Sequence, residues 1–277
     1  MNAITQAIVN NSTLEITRIK ITDATKTSFL MSLECKVENT GPISATMTPM
    51  TLSMSGNAGC FGTLTLPEIK TSSSGTTITV TEQRIEIVDM DAFVAFNKSI
   101  ICDDSLTLHL THGTTTIKAL FLTTKTTYQK SVHLKGMSGP ITTMLSTTST
   151  ATSPPFTTSP SPTSPSPTSS PHTFTNTMRA LNPSPLEIDL GTLHQELRNA
   201  RGETIATQKG RVYFGRGETT YVMRGEVTGV EVGEGEVRVL GVGVEEDNWN
   251  NLTMVHSNTA TTVTEEFVAL CKAGGKA

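Results

Sequence analysis

The sequence predicts an all-β protein arranged as two tandem antiparallel β-sandwiches, on three observations. About fifty of the 277 residues are threonine, a β-branched residue that favours strands and can cover a solvated sheet face without adding charge. Apolar residues recur with period two in short runs, separated at intervals of roughly 8–12 residues by glycine or polar turns. Between two such regions, the stretch Ser146–Pro171 is almost wholly Thr, Ser and Pro, with Phe156 its single large side chain and no charge. A run of that composition buries too little apolar surface to offset its ordering entropy, and its prolines favour an extended chain. It therefore reads as a semi-rigid spacer, with the composition of an O-glycosylated stalk. The boundaries that follow are a first sandwich over 1–140, a linker over 141–173, a second, diverged sandwich over 174–270 and a tail over 271–277.

The first region opens with Leu14/Ile16 and Ile19/Ile21, whose change of phase predicts a strand containing a bulge. Leu33, Cys35 and Val37 alternate, and Asn39-Thr-Gly-Pro42 makes the following turn. Leu64 and Leu66 run into Pro67, which marks an edge or a strand end. Ile78/Val80, Ile85/Ile87, Leu106/Leu108/Leu110 and Val132/Leu134 are further period-two runs. Between them, Asp89–Phe96 reads as a short helix capped by Asp89 or Asp91. Phe93 and Phe96 lie three apart there and can plug one end of the sheet stack.

Beyond the spacer, Ile188/Leu190, Leu193 with Leu197, Val212/Phe214, Val230/Val232, Val237/Val239 and Val242/Val244 continue the pattern. Gly215/Gly217 and Gly233/Gly235 read as hairpin turns, and Gly241/Gly243 either relieve crowding within a strand or mark a bulge. The two halves read as diverged copies. Cys35-Lys-Val-Glu-Asn39-Thr-Gly-Pro42-Ile43 parallels Met178-Arg-Ala-Leu-Asn182-Pro-Ser-Pro185-Leu186, each placing an Asn-x-x-Pro turn after a strand.

With 36% hydrophobic residues, 17% charged residues and a formal net charge of -4, the chain is apolar enough to fold. It is too lightly charged to hold a nucleic-acid backbone. Arg211, Arg216, Arg224 and Arg238 alternate with Glu218, Glu226, Glu234 and Glu236, as cross-strand pairs would. Four cysteines show no CxxC spacing; either Cys60 and Cys102 form one bridge, or the thiols are free. Asn10, Asn11, Asn97 and Asn251 are N-glycosylation acceptors by sequence. No segment reaches the length of a membrane helix, and MNAITQAIVNNSTLEI lacks the basic and apolar regions of a signal peptide. The stalk-like composition and this N-terminus point in opposite directions: a cytoplasmic protein if the chain is complete, or a luminal one whose anchor lies upstream.

Candidate chemistry is sparse. His109, His112 and His133 lie near Cys102 in sequence, but the alternation turns His109 outward and puts His112 in a turn, so nothing enforces the convergence zinc needs. Ser138 lacks a nucleophile elbow. Asp89/Asp91, Asp103-Asp104 and Glu245-Glu246-Asp247 sit beside turns and caps, the ordinary places for acidic residues. The glycine pairs do not begin a phosphate-binding loop. No catalytic, cofactor or metal residue is assigned, and the chain reads as non-enzymatic.

At Asn39-Thr-Gly-Pro42, Gly62-Thr-Leu-Thr-Leu-Pro67, Asp89–Phe96 and Tyr128-Gln-Lys-Ser-Val-His-Leu-Lys-Gly136, the first half resembles an uncharacterised fungal family of vacuolar-membrane proteins. That family contains the yeast protein implicated in terminating autophagy. The second half, at Met178-Arg-Ala-Leu-Asn182-Pro-Ser-Pro185-Leu186-Glu-Ile, resembles the late embryogenesis abundant type 2 domain. The resemblance implies immunoglobulin- or fibronectin-like sandwiches, the luminal side of a fungal vacuolar membrane, an upstream membrane anchor, a link to autophagy control and no catalytic residue. Two functions follow as expectations. One is a structural or interaction role with unidentified protein partners; the other is a module that binds a lipid or small apolar ligand. A pocket by Phe93/Phe96 and the Leu106–Leu110 strand would favour the second, and a filled core the first.

Overall fold

The computed structural model describes residues 6, 9–41, 43–119, 122–150 and 172–275. The protein is predominantly β, with two sheets. Before the Thr/Ser/Pro tract come β1 (Thr13–Thr22), β2 (Ser28–Glu38), β3 (Ala45–Met47), β4 (Met50–Gly56), β5 (Gly59–Leu66), β6 (Ile69–Thr71) and β7 (Thr76–Glu86). Helix α1 (Met90–Cys102) follows, then β8 (Ser105–Ala119), β9 (Leu122–Lys135) and β10 (Ile141–Thr150). After the tract come β11 (Thr173–Asn182), β12 (Leu186–Arg198), β13 (Thr204–Phe214), β14 (Gly217–Val227) and β15 (Val237–Val244). The short helix α2 (Asn250–Met254), β16 (Asn258–Thr262) and α3 (Glu265–Gly274) complete the described chain.

The sheets do not divide at the tract. A ten-stranded sheet runs β13-β14-β11-β10-β16-β15-β12-β1-β2-β7, and β12 also pairs with β13. That second pairing closes the seven strands from β10 to β16 into a barrel, and β1-β2-β7 extend from its wall. The other sheet runs β5-β4-β8-β3-β6, with β9 on the second edge of β8. Strand β1 joins β12 in parallel, Ile19 opposite Leu186 and Ile21 opposite Ile188. The expected pair of separate sandwiches is thus replaced by a continuous sheet that takes strands from both halves.

The linker expected over 141–173 is also different. Residues 141–150 are strand β10, which pairs with β11 in antiparallel register out to Thr150 opposite Thr173. The two ends of the Thr/Ser/Pro tract are therefore held side by side on the barrel wall, so the tract is inserted in a hairpin and does not separate two bodies. Residues 151–171, Phe156 among them, lie outside the described residues.

Several local expectations hold. The phase change in β1 is a register shift between Ile16 and Arg18, and β5 ends at Leu66, before Pro67. Asp89 caps α1 by accepting a hydrogen bond from Ala92 N at 2.9 Å. Gly215 and Arg216 make the β13–β14 turn. A single register shift against β12, between Gly243 opposite His194 and Gly241 opposite Gln195, marks a bulge in β15. Val230 and Val232, by contrast, lie in a loop, because Gly229, Gly233 and Gly235 all have positive φ. That conformation interrupts a strand, and the loop joins two strands that are not neighbours.

The proposed duplication separates at its asparagines. Asn182 is buried; its amide donates to Leu186 O at 2.7 Å and Gly215 O at 2.9 Å, and its oxygen accepts from Ser184 N and Oγ. Asn39 is exposed with φ 57, and Pro42 lies outside the described residues. The shared motif marks a turn in each half, but the turns are built differently.

Side chains reinforce the junction of the halves made by the shared sheet. Glu187 on β12 accepts from Arg18 Nε at 3.1 Å and Arg18 Nη2 at 2.9 Å, from Arg216 Nε at 2.8 Å, and from the Tyr213 hydroxyl at 2.8 Å. Deeper, Phe93 of α1 stacks on Phe29 at 5.3 Å and meets Trp249 edge-on at 4.8 Å, the ring geometries aromatic quadrupoles favour. Phe93 is 2% exposed; Phe96 is half-buried and packs on Phe61 at 4.8 Å. The Phe93/Phe96 plug exists, and its inner ring reaches across to the second half.

A candidate binding cavity at the end of the barrel

Helix α1 works at both of its ends. Phe93 and Phe96, in its first half, pack on Phe29 and Phe61, whereas Asn97, Ile100 and Ile101, further along, line a cavity inside the barrel of about 60 Å³. The end of α1 is fixed by the backbone of 136–139. Met137 N donates to Ile100 O at 2.8 Å and Gly139 N to Ile101 O at 2.7 Å, satisfying carbonyls that a helix end otherwise leaves open. Ser138 and Gly139 adopt positive φ to make this wrap. It delivers Met137 and Pro140 to the cavity wall.

The opposite wall is α2. Asn251 ties it down, accepting from Val244 N at 2.9 Å and donating to Glu246 O at 2.8 Å. Gly241 lets α2 lie close on β15, since a Cβ there would stand 2.2 Å from Met254 O. Trp249 N donates to Thr25 O at 3.1 Å, fixing the indole beside Phe29 and Phe93. Trp249 and Thr253 are thereby placed on the cavity.

Leu186, Ile188, Leu190, Val212 and Phe214 supply most of the remaining wall. Tyr221 is the one titratable residue that lines it, and burial pushes its hydroxyl up to about 12. Set against this apolar lining are three buried polar atoms without a hydrogen-bond partner: Asn97 Nδ2, Trp249 Nε1 and Thr253 Oγ1. Asn97 is 6% exposed, Trp249 1% and Thr253 2%. His194 Nε2 on β12 and the amide of Asn250 on α2 are also buried without a partner but do not line the cavity, whereas a chain of polar side chains crosses the barrel fully bonded. Thr264 donates to Thr147 (3.0 Å), Thr147 to Asn176 (2.8 Å), Asn176 to Gln208 (3.0 Å) and Gln208 to Gln195 (2.9 Å), with Gln195 also bonding Tyr221. Asn97 on α1 and Trp249 and Thr253 at α2 thus give the α1–α2 end of the cavity unpaired polar groups.

The residues singled out by sequence are scattered. Asn10 and Asn11 are exposed. Asn97 is buried on the cavity wall, and the half-buried Asn251 donates its amide to Glu246 O and Asn248 O within its own turn. Cys60 and Cys102 are both free, as are Cys35 and Cys271. Gly59, beside Cys60, approaches Ala92 near the start of α1, with the added Cβ 3.9 Å from Ala92 Cβ. Cys102 ends that helix, roughly 15 Å further along at 1.5 Å per residue. His109 bonds Ser131 at 2.9 Å and His133 bonds Thr107 at 3.1 Å, across the exposed β8–β9 hairpin. Asp104 accepts from Ser138 at 2.6 Å, and Glu246 accepts from Thr192 N at 2.8 Å. Those acidic residues brace turns.

The cavity itself escaped the sequence reading. Its signal is Asn97, a lone polar residue within the stripe Phe93, Asn97, Ile100, Ile101 on one helical face, together with the chain's single tryptophan. It is not the pocket that the sequence reading names as favouring a ligand: neither Phe93 and Phe96 nor the Leu106–Leu110 strand lines it.

Residues 60–197 match a family described as a protein of unknown function (DUF3712). The match covers just under half of the chain and runs from β5 into β12, across the Thr/Ser/Pro tract. No curated protein matches the chain. Among solved structures, red sea bream transglutaminase aligns at 12% identity and a TM-score of 0.26, covering 90% of this chain and 32% of that one. The CBD12 segment of CALX1.2 aligns at 11% identity and a TM-score of 0.20, covering 89% of this chain and 96% of that one. The exo-β-D-glucosaminidase CsxA aligns at 11% identity and a TM-score of 0.23, over 89% of this chain and 26% of that one. The chain thus spans about a third of the transglutaminase and a quarter of the glucosaminidase.

Proposed function

We propose that this protein is a non-enzymatic binding module whose barrel cavity takes a small, predominantly apolar molecule. The observation that carries the reading is the combination of an apolar space with three unpaired buried polar atoms on its wall. A void of about 60 Å³ costs about 1.4 kcal/mol at roughly 24 cal/mol per Å³. Each unpaired buried polar atom adds roughly 1–3 kcal/mol. Protein interiors are otherwise filled to crystal-like density, so an occupant that fills the space recovers several kcal/mol. The wall favours binding over catalysis, because Tyr221, its single titratable group, stays protonated near neutral pH.

Xenon or cyclopentane tests the reading, since both enter apolar cavities and neither forms hydrogen bonds. Each should raise the melting temperature in a saturable manner. Ala180, 1% exposed and on the wall, offers the control: Ala180→Val occupies part of the space and should abolish the rise. An unchanged melting temperature in the parent protein would refute a binding role for the cavity.

A structural or interaction role at the luminal side of a fungal vacuolar membrane is the second reading. It is supported by the sequence resemblance and by the exposure of Asn10 and Asn11. It also fits a sheet that fuses both halves into one body. N-glycosidase treatment of the endogenous protein tests it: a loss of mass that disappears in the Asn10→Gln/Asn11→Gln double variant supports a luminal location. No loss of mass removes that support.

A further inference from the structure

The three unpaired atoms specify more than an apolar occupant. Trp249 Nε1 is solely a hydrogen-bond donor, Asn97 Nδ2 donates, and Thr253 Oγ1 can donate or accept. No lysine, arginine, histidine, aspartate or glutamate lines the cavity, so a charged ligand would be buried without a counter-charge. We propose that the cavity recognises an uncharged molecule carrying one carbonyl or hydroxyl oxygen. That oxygen accepts hydrogen bonds from Trp249 and Asn97 at the α1–α2 end, and the hydrocarbon body lies among Ile100, Ile188 and Phe214. The inference rests on the binding reading above and adds the polar half of the ligand. Size follows from the space: about 60 Å³, against roughly 150 Å³ for an apolar cavity that admits benzene. The class is accordingly the short neutral ketones and alcohols.

Trp249 makes the test direct, because it is the chain's single tryptophan and gives one indole N–H resonance. The ¹⁵N-labelled full chain is titrated with 2-butanone and, in parallel, with cyclopentane, which has the same number of heavy atoms and no acceptor. The expected result is a saturable downfield shift of the indole proton with 2-butanone alone, and about tenfold tighter binding of 2-butanone than of cyclopentane. Tenfold is what one to two net hydrogen bonds provide. Asn97→Leu should narrow that preference, and Ala180→Val should remove both titrations while the remaining amide spectrum stays dispersed.

Equal affinity for the two probes with an unmoved indole resonance would overturn the acceptor-bearing ligand and leave the apolar-ligand reading standing. Absence of any saturable shift with either probe would overturn both. A 2-butanone shift that persists unchanged in Ala180→Val would place binding outside the cavity and overturn the inference.

Discussion

Glu187 offers a quantitative test of how the two halves are joined. Its side chain is 10% exposed, and burial alone pushes its carboxyl upward. Hydrogen bonds from Arg18, Tyr213 and Arg216 outweigh that push and bring it from an ordinary 4.5 down to about 2. A depressed carboxylate binds fewer protons in the folded state than in the unfolded one, so stability rises with pH across the interval between the two values. The contribution is complete above about 4.5 and is lost as pH falls toward 2. At 1.36 kcal/mol per unit the full effect is about 3 kcal/mol. Arg18 and Arg216 are 33% and 45% exposed, so water shares in solvating them and roughly 2–3 kcal/mol is the expected range.

Glu187→Gln keeps the shape and removes the charge. Urea unfolding followed by tryptophan fluorescence should show the variant less stable than the parent by that amount at pH 7. The gap should narrow below about pH 4.5 and close as pH falls through about 2, where Glu187 of the folded parent becomes protonated. A gap that stays constant from pH 7 to pH 3 would refute the argument, because the loss would then be one of packing and not of the charged hydrogen bonds.

Phe93→Ala removes a buried ring in contact with Phe29, Phe61 and Trp249 and should cost about 3–5 kcal/mol, whereas the half-buried Phe96→Ala should cost clearly less; equal losses in thermal melts would contradict the two environments. A protease site engineered within 151–171 should, once cut, leave two fragments that co-elute in gel filtration under native conditions, since barrel strands β10 and β11 come from opposite sides of the cut. Separation into two folded species would show that the continuous sheet does not hold the halves together.

The sequence exposed the local structure of this protein far better than its connectivity. Strand alternation, the Ile16/Arg18 shift, the Asp89 cap and the Gly215–Arg216 turn all follow from forces acting within a few residues. The parallel pairing of Ile19 with Leu186 does not, because period-two alternation says which face a residue takes and never which strand lies alongside. The Thr/Ser/Pro tract shows the same limit. Its composition describes its own backbone preferences, while its role as an insertion depends on Thr150 meeting Thr173 across a hairpin. The cavity was partly legible: Asn97 interrupts an apolar helical face, a pattern that asks for a buried partner, but Trp249 and Thr253 are brought to it by long-range packing.

The aromatic contact between Phe93 and Trp249 has a consequence for synthesis and folding. As the chain emerges from the ribosome, α1 is available early, yet the indole that completes its packing lies near the C-terminus. The strand neighbours of β1 are likewise incomplete until β12 has appeared. Such sequence-distant contacts slow folding and leave apolar surface uncovered in the interim. The nascent N-terminal half must therefore wait with an unfinished core, and its need for chaperone protection should end when Trp249 docks.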